Sequence, residues 1–413
     1  MVGFIGRVSG AWSCSGISLG ERNQLAVRMK ILRCIHSLDP AIGGPLESVK
    51  QSSRVLLGRG HEVEVVSLDS PGAPWLHDFP APVHALGPGG GSYGYAPRFV
   101  PWLRERHSRY DAVVVHGIWQ YHSFAVWRAL HKTRTPYFVF PHGMLDPWFN
   151  RTYPLKHLKK LLYWPWAEYR VLRDAAAVLF TSEEERRLAR ESFKLYRANE
   201  VVVNYGTAAP EVDLQGAREE FLNAFPKLRD KRLLLFLGRI HEKKGCEELI
   251  RAFVALENSA EHLVIAGPCA DPEYLHRLKY LTNELGGNET ITFCGMLSGS
   301  LKWGAFASAE AFILPSHQEN FGIAVVEALA CGTPVLISKQ VNIWREIVGA
   351  GGGFAEDDDV AGTRRLLERW GATPPAEREE MSASARRCFA NRFEINQAVD
   401  SFLHVLQTET RLA

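Results

Sequence analysis

The feature that most constrains the fold is a repeated alternation of short apolar runs with stretches of helical character. The first half of the chain has six such runs and the second half five, most of them nearly continuous in aliphatic and aromatic residues. A short uninterrupted apolar run is typical of a parallel strand that helices cover on both faces. The pattern therefore predicts an α/β protein with two doubly wound parallel sheets.

The strands predicted for the first half are residues 30–36, 62–68, 112–116, 137–141, 176–180 and 201–204. Those predicted for the second half are residues 232–237, 262–266, 291–294, 311–314 and 334–337. Between the two sets lie residues 205–210, a small, turn-forming segment that suits an interdomain linker. We therefore predict an N-terminal domain over 29–205, a C-terminal domain over 206–390, and a final helix over 391–413 that packs back toward the first domain.

Composition limits the class of protein. The apolar fraction of 46% and the charged fraction of 23% are those of a globular protein, and no apolar run is long enough to cross a bilayer. Residues 1–28 lack the apolar core of a secretory signal, so we expect a disordered extension or a misassigned start. The seven scattered cysteines suit a reducing compartment, which favours a cytoplasmic location.

Segments that follow strands are the candidate sites, because ligands of doubly wound sheets bind at the carboxyl ends of the strands. Gly43 and Gly44 follow the first strand, where the lack of side chains lets backbone amides approach a phosphate or a sugar. A simple turn also explains them. His142 directly follows the strand 137–141 and could donate to a sugar hydroxyl or present its carbonyl to an anomeric carbon, unless it is structural.

Two cations follow the first strand of the second half. Arg239 and Lys244 lie five residues apart in the sequence Gly-Arg-Ile-His-Glu-Lys-Lys-Gly, residues 238–245. A forked guanidinium and a point-charge ammonium can straddle a diphosphate and stabilise it as a leaving group. A solvated basic loop is the alternative.

A pair of glutamates is the strongest functional signal. Glu319 lies in the loop after strand 311–314, and Glu327 lies about two turns into the helix that follows. Because its helical neighbours are apolar, the carboxylate of Glu327 needs a partner, either the hydroxyls of a ribose or an internal group. If this helix starts near Gly322, its free amides point toward the same ligand.

With these motifs the sequence resembles the retaining glycosyltransferases of family 4, which have the GT-B fold of two Rossmann-like domains facing across a cleft. The motifs that carry the resemblance are Gly43-Gly44, His142-Gly143, Gly238-Arg239 with Lys244-Gly245, Glu319 with Glu327, and the segment 327–335. The resemblance covers about residues 29–390 and is most specific in the second half.

The resemblance implies a donor-binding role for residues of the second domain. Glu319 would hold the hydroxyls of the transferred sugar together with the backbone amides of Asn320, Phe321 and Gly322. Glu327 would hold the nucleotide ribose.

The resemblance also implies how the reacting groups are held. Arg239 and Lys244 would bind the diphosphate, His142 would face the sugar near the reacting carbon, and Gly43 and Gly44 would approach it from the first domain. Retention in this family is commonly explained by front-face attack, in which the leaving phosphate accepts the acceptor's proton and no protein nucleophile is needed.

Two features depart from simple expectation. Asn342-Ile343 stands where family members often have a pair of glycines, which puts the donor preference in doubt. The acidic run 357–359 contains the DxD pattern that binds Mn²⁺ or Mg²⁺ in another class of glycosyltransferase. Capping of the charged helix that follows, residues 360–370, explains this run as well. We therefore predict no metal site and no cofactor, the nucleoside-diphosphate sugar being a substrate.

The segment 149–173 interleaves basic residues with Tyr, Trp and Leu. Such a segment suits a helix lying on an anionic membrane surface, and a helix packed in the first domain with a solvated basic edge is the alternative. The net charge is +7 over residues 29–204 and −7 over 205–413, which slightly favours the membrane. No nucleic-acid-binding motif is present, so we predict no nucleic-acid partner.

Together these features predict a retaining transferase that moves a hexose from a nucleoside-diphosphate sugar to a glycan or lipid-linked acceptor. Polysaccharide or lipopolysaccharide synthesis is the expected setting, by resemblance, with the protein cytoplasmic or peripheral at the inner membrane face. A nucleotide-sugar 2-epimerase of the same fold is one alternative, and it would need acid and base groups around the sugar. A non-catalytic nucleotide-sugar-binding module is the other.

Overall fold

The computed structural model describes residues 28–40, 44–256 and 260–412, so the predictions for residues 1–27 and for Gly43 lie outside the described residues. The strands of the first domain are β1 (Lys30–Ile35), β2 (Glu62–Ser67), β3 (Val83–Ala85), β4 (Ala112–His116), β5 (Tyr137–Phe140), β6 (Ala177–Phe180) and β7 (Glu200–Val202). Those of the second domain are β8 (Arg232–Leu237), β9 (Glu261–Ala266), β10 (Ile291–Gly295), β11 (Ala309–Leu314), β12 (Val335–Ser338) and β13 (Gly353–Glu356).

Within these ranges the strands form two parallel sheets. The first has the order β3-β2-β1-β4-β5-β6-β7 and the second the order β10-β9-β8-β11-β12-β13. Every residue of β4 and of β9 is buried, as expected of strands covered on both faces. The strand order reverses between β1 and β4 and between β8 and β11, and ligands bind at the carboxyl edge of such a reversal. The predicted pair of doubly wound domains is confirmed.

Helices cover both faces of each sheet. Those of the first domain are α1 (Gly44–Gly58), α2 (Phe99–Arg106), α3 (Tyr121–Leu130), α4 (Trp148–Thr152), α5 (Pro154–Tyr163), α6 (Glu168–Arg173) and α7 (Glu183–Ser192). The remaining helices are α8 (Leu214–Ala224), α9 (Cys246–Val254), α10 (Pro272–Glu284), α11 (Gly299–Ser308), α12 (Ile323–Cys331), α13 (Trp344–Gly349), α14 (Val360–Ala372), α15 (Pro375–Cys388) and α16 (Ile395–Leu412). Among the described residues, no helix is both long and apolar enough to cross a membrane.

The last helix, α16, lies on the first domain. Its residues Val399, Phe402 and Leu406 are buried in the apolar core between α1 and one face of the first sheet. The chain crosses over through a π-helical turn at Phe389–Phe393. At this crossing the amide of Thr207, in the linker 205–210, donates to the carbonyl of Phe393 over 3.0 Å. The two connections between the domains therefore run side by side.

Candidate active site

The loops after β5 and β6 of the first domain meet the loop after β11 of the second. The side-chain amide of Gln318 donates to Asp146 over 3.1 Å, and that of Asn320 donates to the hydroxyl of Thr181 over 3.1 Å. Gly143 packs so closely that a Cβ there would lie 2.7 Å from the Cβ of Asn320. The carboxyl edges of the two sheets are thus in direct contact, as a site shared by both domains requires.

Cations of the loop after β8 converge on Glu319. Lys244 forms an ion pair with this carboxylate, whose side chain is 20% exposed against 14% for Lys244. Burial alone would raise the pKa of Glu319, but Lys244, Lys243 and Arg239 together hold it below its ordinary value. Arg239 itself is exposed. The structure therefore brings Arg239 and Lys244, which share the loop after β8, together with Glu319 of the loop after β11.

Lys243 is a further cation of this cluster, and the sequence did not single it out. Burial lowers its pKa to about 8, while the charge of Glu319 acts in the opposite direction. Its ammonium lies 5.6 Å and 5.3 Å from the ring centroids of Trp148 and Phe149 in the first domain. Lys243 therefore links the two domains by cation–π contacts. Its place beside Lys244 in the sequence was the available signal.

The start of α12 presents unused hydrogen-bond donors. Gly322 caps this helix with a φ of 75°, a left-handed conformation that favours glycine. In the described ranges, the backbone amides of Asn320, Phe321 and Gly322 have no protein acceptor. The ring of Phe321 meets that of Tyr205 edge-on, with centroids 4.9 Å apart. The loop is thus anchored to the linker while its amides remain available to a ligand.

Glu327 is 6% exposed and pairs with Lys302 of α11, whose ammonium lies 2.8 Å from its Oε1. The internal partner that the sequence left open is therefore present. Burial raises the pKa of Glu327, Lys302 opposes this rise, and Glu47 at the start of α1 adds to it. Glu47 belongs to α1 of the first domain, so a charge of each domain acts on Glu327.

His142 follows β5 with a φ of 51°, which is rare for a residue other than glycine. Its Nε2 lies 3.1 Å from Nδ1 of His116 at the end of β4. Burial, with a contribution from the charge of Arg33, lowers the pKa of His142 to about 4. The ring is neutral at neutral pH, so it can exchange hydrogen bonds with a ligand but brings no charge.

Asn342 and the acidic run have defined partners. The side-chain amide of Asn342, which stands in place of a glycine, donates to Oδ1 of Asn320 over 3.3 Å. It therefore supports the loop that follows β11. Asp359 caps α14 by accepting from the amide of Gly362 over 2.7 Å. Asp358 lies 2.7 Å from Nδ1 of His317. The contact of Asp359 fits the capping explanation of the run, whereas Asp358 pairs with another loop.

The segment 149–173 divides into two parts. The helix α5, which the structure describes in full, has no buried residue. Glu168, Val171 and Leu172 of α6 are buried in the first domain. Lys160 of α5 turns inward, with its ammonium 4.5 Å from the ring centroid of Trp119. Thus α6 is a helix packed in the first domain, whereas α5 is an exposed amphipathic helix.

Comparisons with known proteins follow the same division into domains. The model of the glycosyl transferase 4-like domain matches residues 43–206, and that of the glycosyl transferases group 1 matches residues 217–387. The D-inositol 3-phosphate glycosyltransferase of Thermomonospora curvata is 32% identical over 261 residues, which are 58% of this chain and 58% of that protein. An uncharacterized glycosyltransferase of Methanocaldococcus jannaschii is 30% identical over 49% of this chain and 54% of its own length. The chain thus spans about half the length of the curated relatives it matches.

Solved structures resemble the whole fold. Sucrose-phosphate synthase from Thermosynechococcus elongatus has a TM-score of 0.73 at 19% identity, covering 93% of this chain and 100% of that one. HepE of Anabaena has a TM-score of 0.72 at 17% identity, covering 92% and 100%. At such identities the likeness is one of fold, here GT-B. With both of its domains matched, the chain belongs to the group 1 glycosyltransferases, of the family 4 type.

Proposed function

We propose that the protein is a retaining glycosyltransferase that moves a hexose from a nucleoside-diphosphate sugar to a glycan or lipid-linked acceptor. The observation that carries this proposal is the cluster of Arg239, Lys243 and Lys244 around Glu319, beside the free amides of residues 320–322. The cluster offers positive charge for a diphosphate and hydroxyl-binding groups for the sugar attached to it.

The related structures support the same donor and setting. HepE is described in complex with UDP and with UDP-glucose. WaaG, which has a TM-score of 0.63 to this chain, is described as a glycosyltransferase involved in lipopolysaccharide biosynthesis. We therefore propose cell-surface polysaccharide or lipopolysaccharide assembly as the setting.

In the proposed mechanism the diphosphate replaces Glu319 as the ion-pair partner of Lys244. The carboxylate of Glu319 then accepts hydrogen bonds from the sugar hydroxyls. Glu327 binds the ribose, and the neutral ring of His142 binds a sugar hydroxyl. As the bond from the anomeric carbon to the diphosphate breaks, Arg239 and Lys244 stabilise the negative charge on the leaving oxygen. That oxygen accepts the proton of the acceptor hydroxyl, which attacks from the same face.

The electrostatics make the epimerase alternative less suitable. An epimerase needs groups that gain and lose protons near the sugar. The pKa of His142 is lowered to about 4, and the cations keep Glu319 ionised by lowering its pKa. Neither residue is therefore a good proton donor near neutral pH.

A thermal-shift screen of UDP-, GDP-, ADP- and dTDP-sugars with EDTA present tests donor binding. A ligand at 100 times its Kd stabilises the fold by about 2.7 kcal/mol. If no sugar nucleotide raises the melting temperature, the donor assignment is wrong. NMR of the product with the accepted donor then tests the stereochemistry, and an inverted anomeric centre would rule out retention.

We further propose that the first domain docks on an anionic membrane surface through α5. Leu155 and Leu162 of this helix are 81% and 72% exposed. Residues 147–167 contain four Lys or Arg and no Asp or Glu. Exposed apolar side chains interleaved with the basic residues of this segment match the acyl and headgroup regions of such a membrane.

Co-sedimentation with vesicles tests this docking. We expect binding to vesicles that contain phosphatidylglycerol, weaker binding at high salt, and little binding to phosphatidylcholine alone. Replacing both Leu155 and Leu162 by serine should abolish it. Leu285→Ser, on the second domain and 38% exposed, is the matched control. Equal binding of the double variant and the control would disprove the assignment to α5.

A further inference from the structure

Arg33, in the middle of β1, is a buried cation without a counter-ion. It is 2% exposed, and burial lowers its pKa to about 10. In the part of the chain that the structure describes, no carboxylate pairs with it and its Nε has no hydrogen-bond partner. Its guanidinium lies 5.4 Å from the ring centroid of Phe402 in α16. This cation–π contact offsets only part of the cost of burying the charge.

Arg33 lines a partly open cavity of ≈ 30 Å³ between the first sheet, α1, the linker and α16. Two further atoms of residues in its wall, Nε2 of His116 and the hydroxyl of Tyr205, lack a partner within the described ranges. The neighbouring hydroxyl of Ser48 donates instead to the carbonyl of Gly206 over 3.1 Å. Three unsatisfied polar atoms around one cavity indicate a bound species.

The size and charge of the cavity select that species. One water needs about 10–15 Å³ of such space, so a cavity of ≈ 30 Å³ has room for two or three waters or for one small anion. Water would satisfy the hydrogen bonds but leave the charge of Arg33 uncompensated, because a guanidinium does not lose its proton in a protein. An anion does both. Nε of Arg33, the hydroxyl of Tyr205 and Nε2 of His116 are each able to donate a hydrogen bond to it.

We propose that this cavity binds a monovalent inorganic anion of the size of chloride. The walls come from the first domain, from residues 204–206 at the start of the linker, and from α16. The anion therefore holds the linker and the returning helix against the first domain. The cavity adjoins the proposed donor site through His116, which contacts His142, but the proposal does not depend on the proposed function.

Crystals soaked in sodium bromide give a direct test, since bromide replaces chloride and scatters anomalously. We expect an anomalous peak in the cavity beside Arg33. A cavity that contains only water, with no anomalous peak, would overturn the proposal.

Melting temperatures in sodium chloride and sodium gluconate at equal ionic strength give the second test, because gluconate is too large for the cavity. We expect chloride to raise the melting temperature saturably, by about 3 °C or more. Arg33→Met should lose this increment. Arg54→Met, at an exposed position of α1, should keep it. Tyr205→Phe should raise about tenfold the chloride concentration at which half of the increment is reached. This variant provides the test if Arg33→Met does not fold. An increment equal to that of the wild type in either cavity variant would refute the site.

Discussion

Replacing Lys244 by methionine separates its role in stability from its role in chemistry. The ion pair with Glu319 is mostly buried, at 14% and 20% exposure, so the substitution leaves a poorly solvated carboxylate. Removing one partner of a fully buried pair costs about 3–5 kcal/mol. Lys243 and Arg239 still act on this carboxylate and the remaining exposure screens its charge, so we expect about 2 kcal/mol. For a domain of this size that lowers the melting temperature by about 4–8 °C.

Urea unfolding of Lys244→Met, Glu319→Gln and the double variant measures the coupling between the two residues. The double variant should recover about 1–2 kcal/mol, because no buried charge is left unpaired. Turnover of the nucleotide sugar should fall about 100- to 1000-fold in Lys244→Met and should not recover in the double variant, since the cation at the leaving group is still missing. A double variant as unstable as Lys244→Met would refute the ion pair. Wild-type kcat in either variant would refute the role in diphosphate departure.

Three further variants test other parts of the site. Glu327→Gln should weaken nucleotide-sugar binding about tenfold in calorimetry, because an amide accepts hydrogen bonds less strongly than a carboxylate; an unchanged Kd would contradict the ribose contact. Lys243 has a pKa of about 8, so above that pH it loses the charge that attracts a diphosphate, and donor affinity should fall by up to about tenfold per pH unit. Lys243→Arg should keep at pH 9 the affinity it has at pH 7, and a parallel decline in this variant would exclude Lys243 as the titrating group. Gly143→Ala places a Cβ 2.7 Å from that of Asn320 at a φ of +75°, and should cost about 2 kcal/mol or more in urea unfolding. Gly286→Ala, at a φ of +77° with nothing within 4 Å, measures the backbone strain alone, and an equal loss in both would show that the domain contact does not matter.

The strands were largely predictable because a parallel strand buried on both faces leaves a continuous apolar run. The strands β3 and β13 were missed because they lack such a run. The three residues of β3 are all partly exposed, and β13 begins at a glycine and ends at a glutamate. Short strands at the edge of a sheet carry too few apolar residues to be distinguished from a loop.

Site residues were predictable where the chemistry requires a certain residue type at a certain spacing. Their hydrogen-bond and ion-pair partners were not predictable, because these depend on tertiary packing. Glu327 stood out as a carboxylate on an apolar helix, but its partner Lys302 lies 25 residues earlier on another helix. No periodicity connects the two positions. Lys243 and Lys244 are adjacent cations in the sequence, and only the fold places one against aromatic rings and the other against Glu319. Burial of Arg33 was equally hidden, because a strand pattern does not tell which of its positions faces a cavity.

The contact between His116 and His142 has a consequence for what the second ring can offer a sugar. Nδ1 of His116 and Nε2 of His142 face each other over 3.1 Å, and in a pair of neutral rings one proton lies between them. If Nε2 of His142 carries that proton, Nδ1 of the same ring has a lone pair and accepts a hydrogen bond from a hydroxyl. If Nδ1 of His116 carries the proton, Nδ1 of His142 carries a hydrogen and donates instead. A chloride in the cavity draws the hydrogen of His116 to Nε2 and so selects the first tautomer. An anion in the cavity thus acts through His116 on His142, and it determines whether Nδ1 of His142 accepts or donates a hydrogen bond.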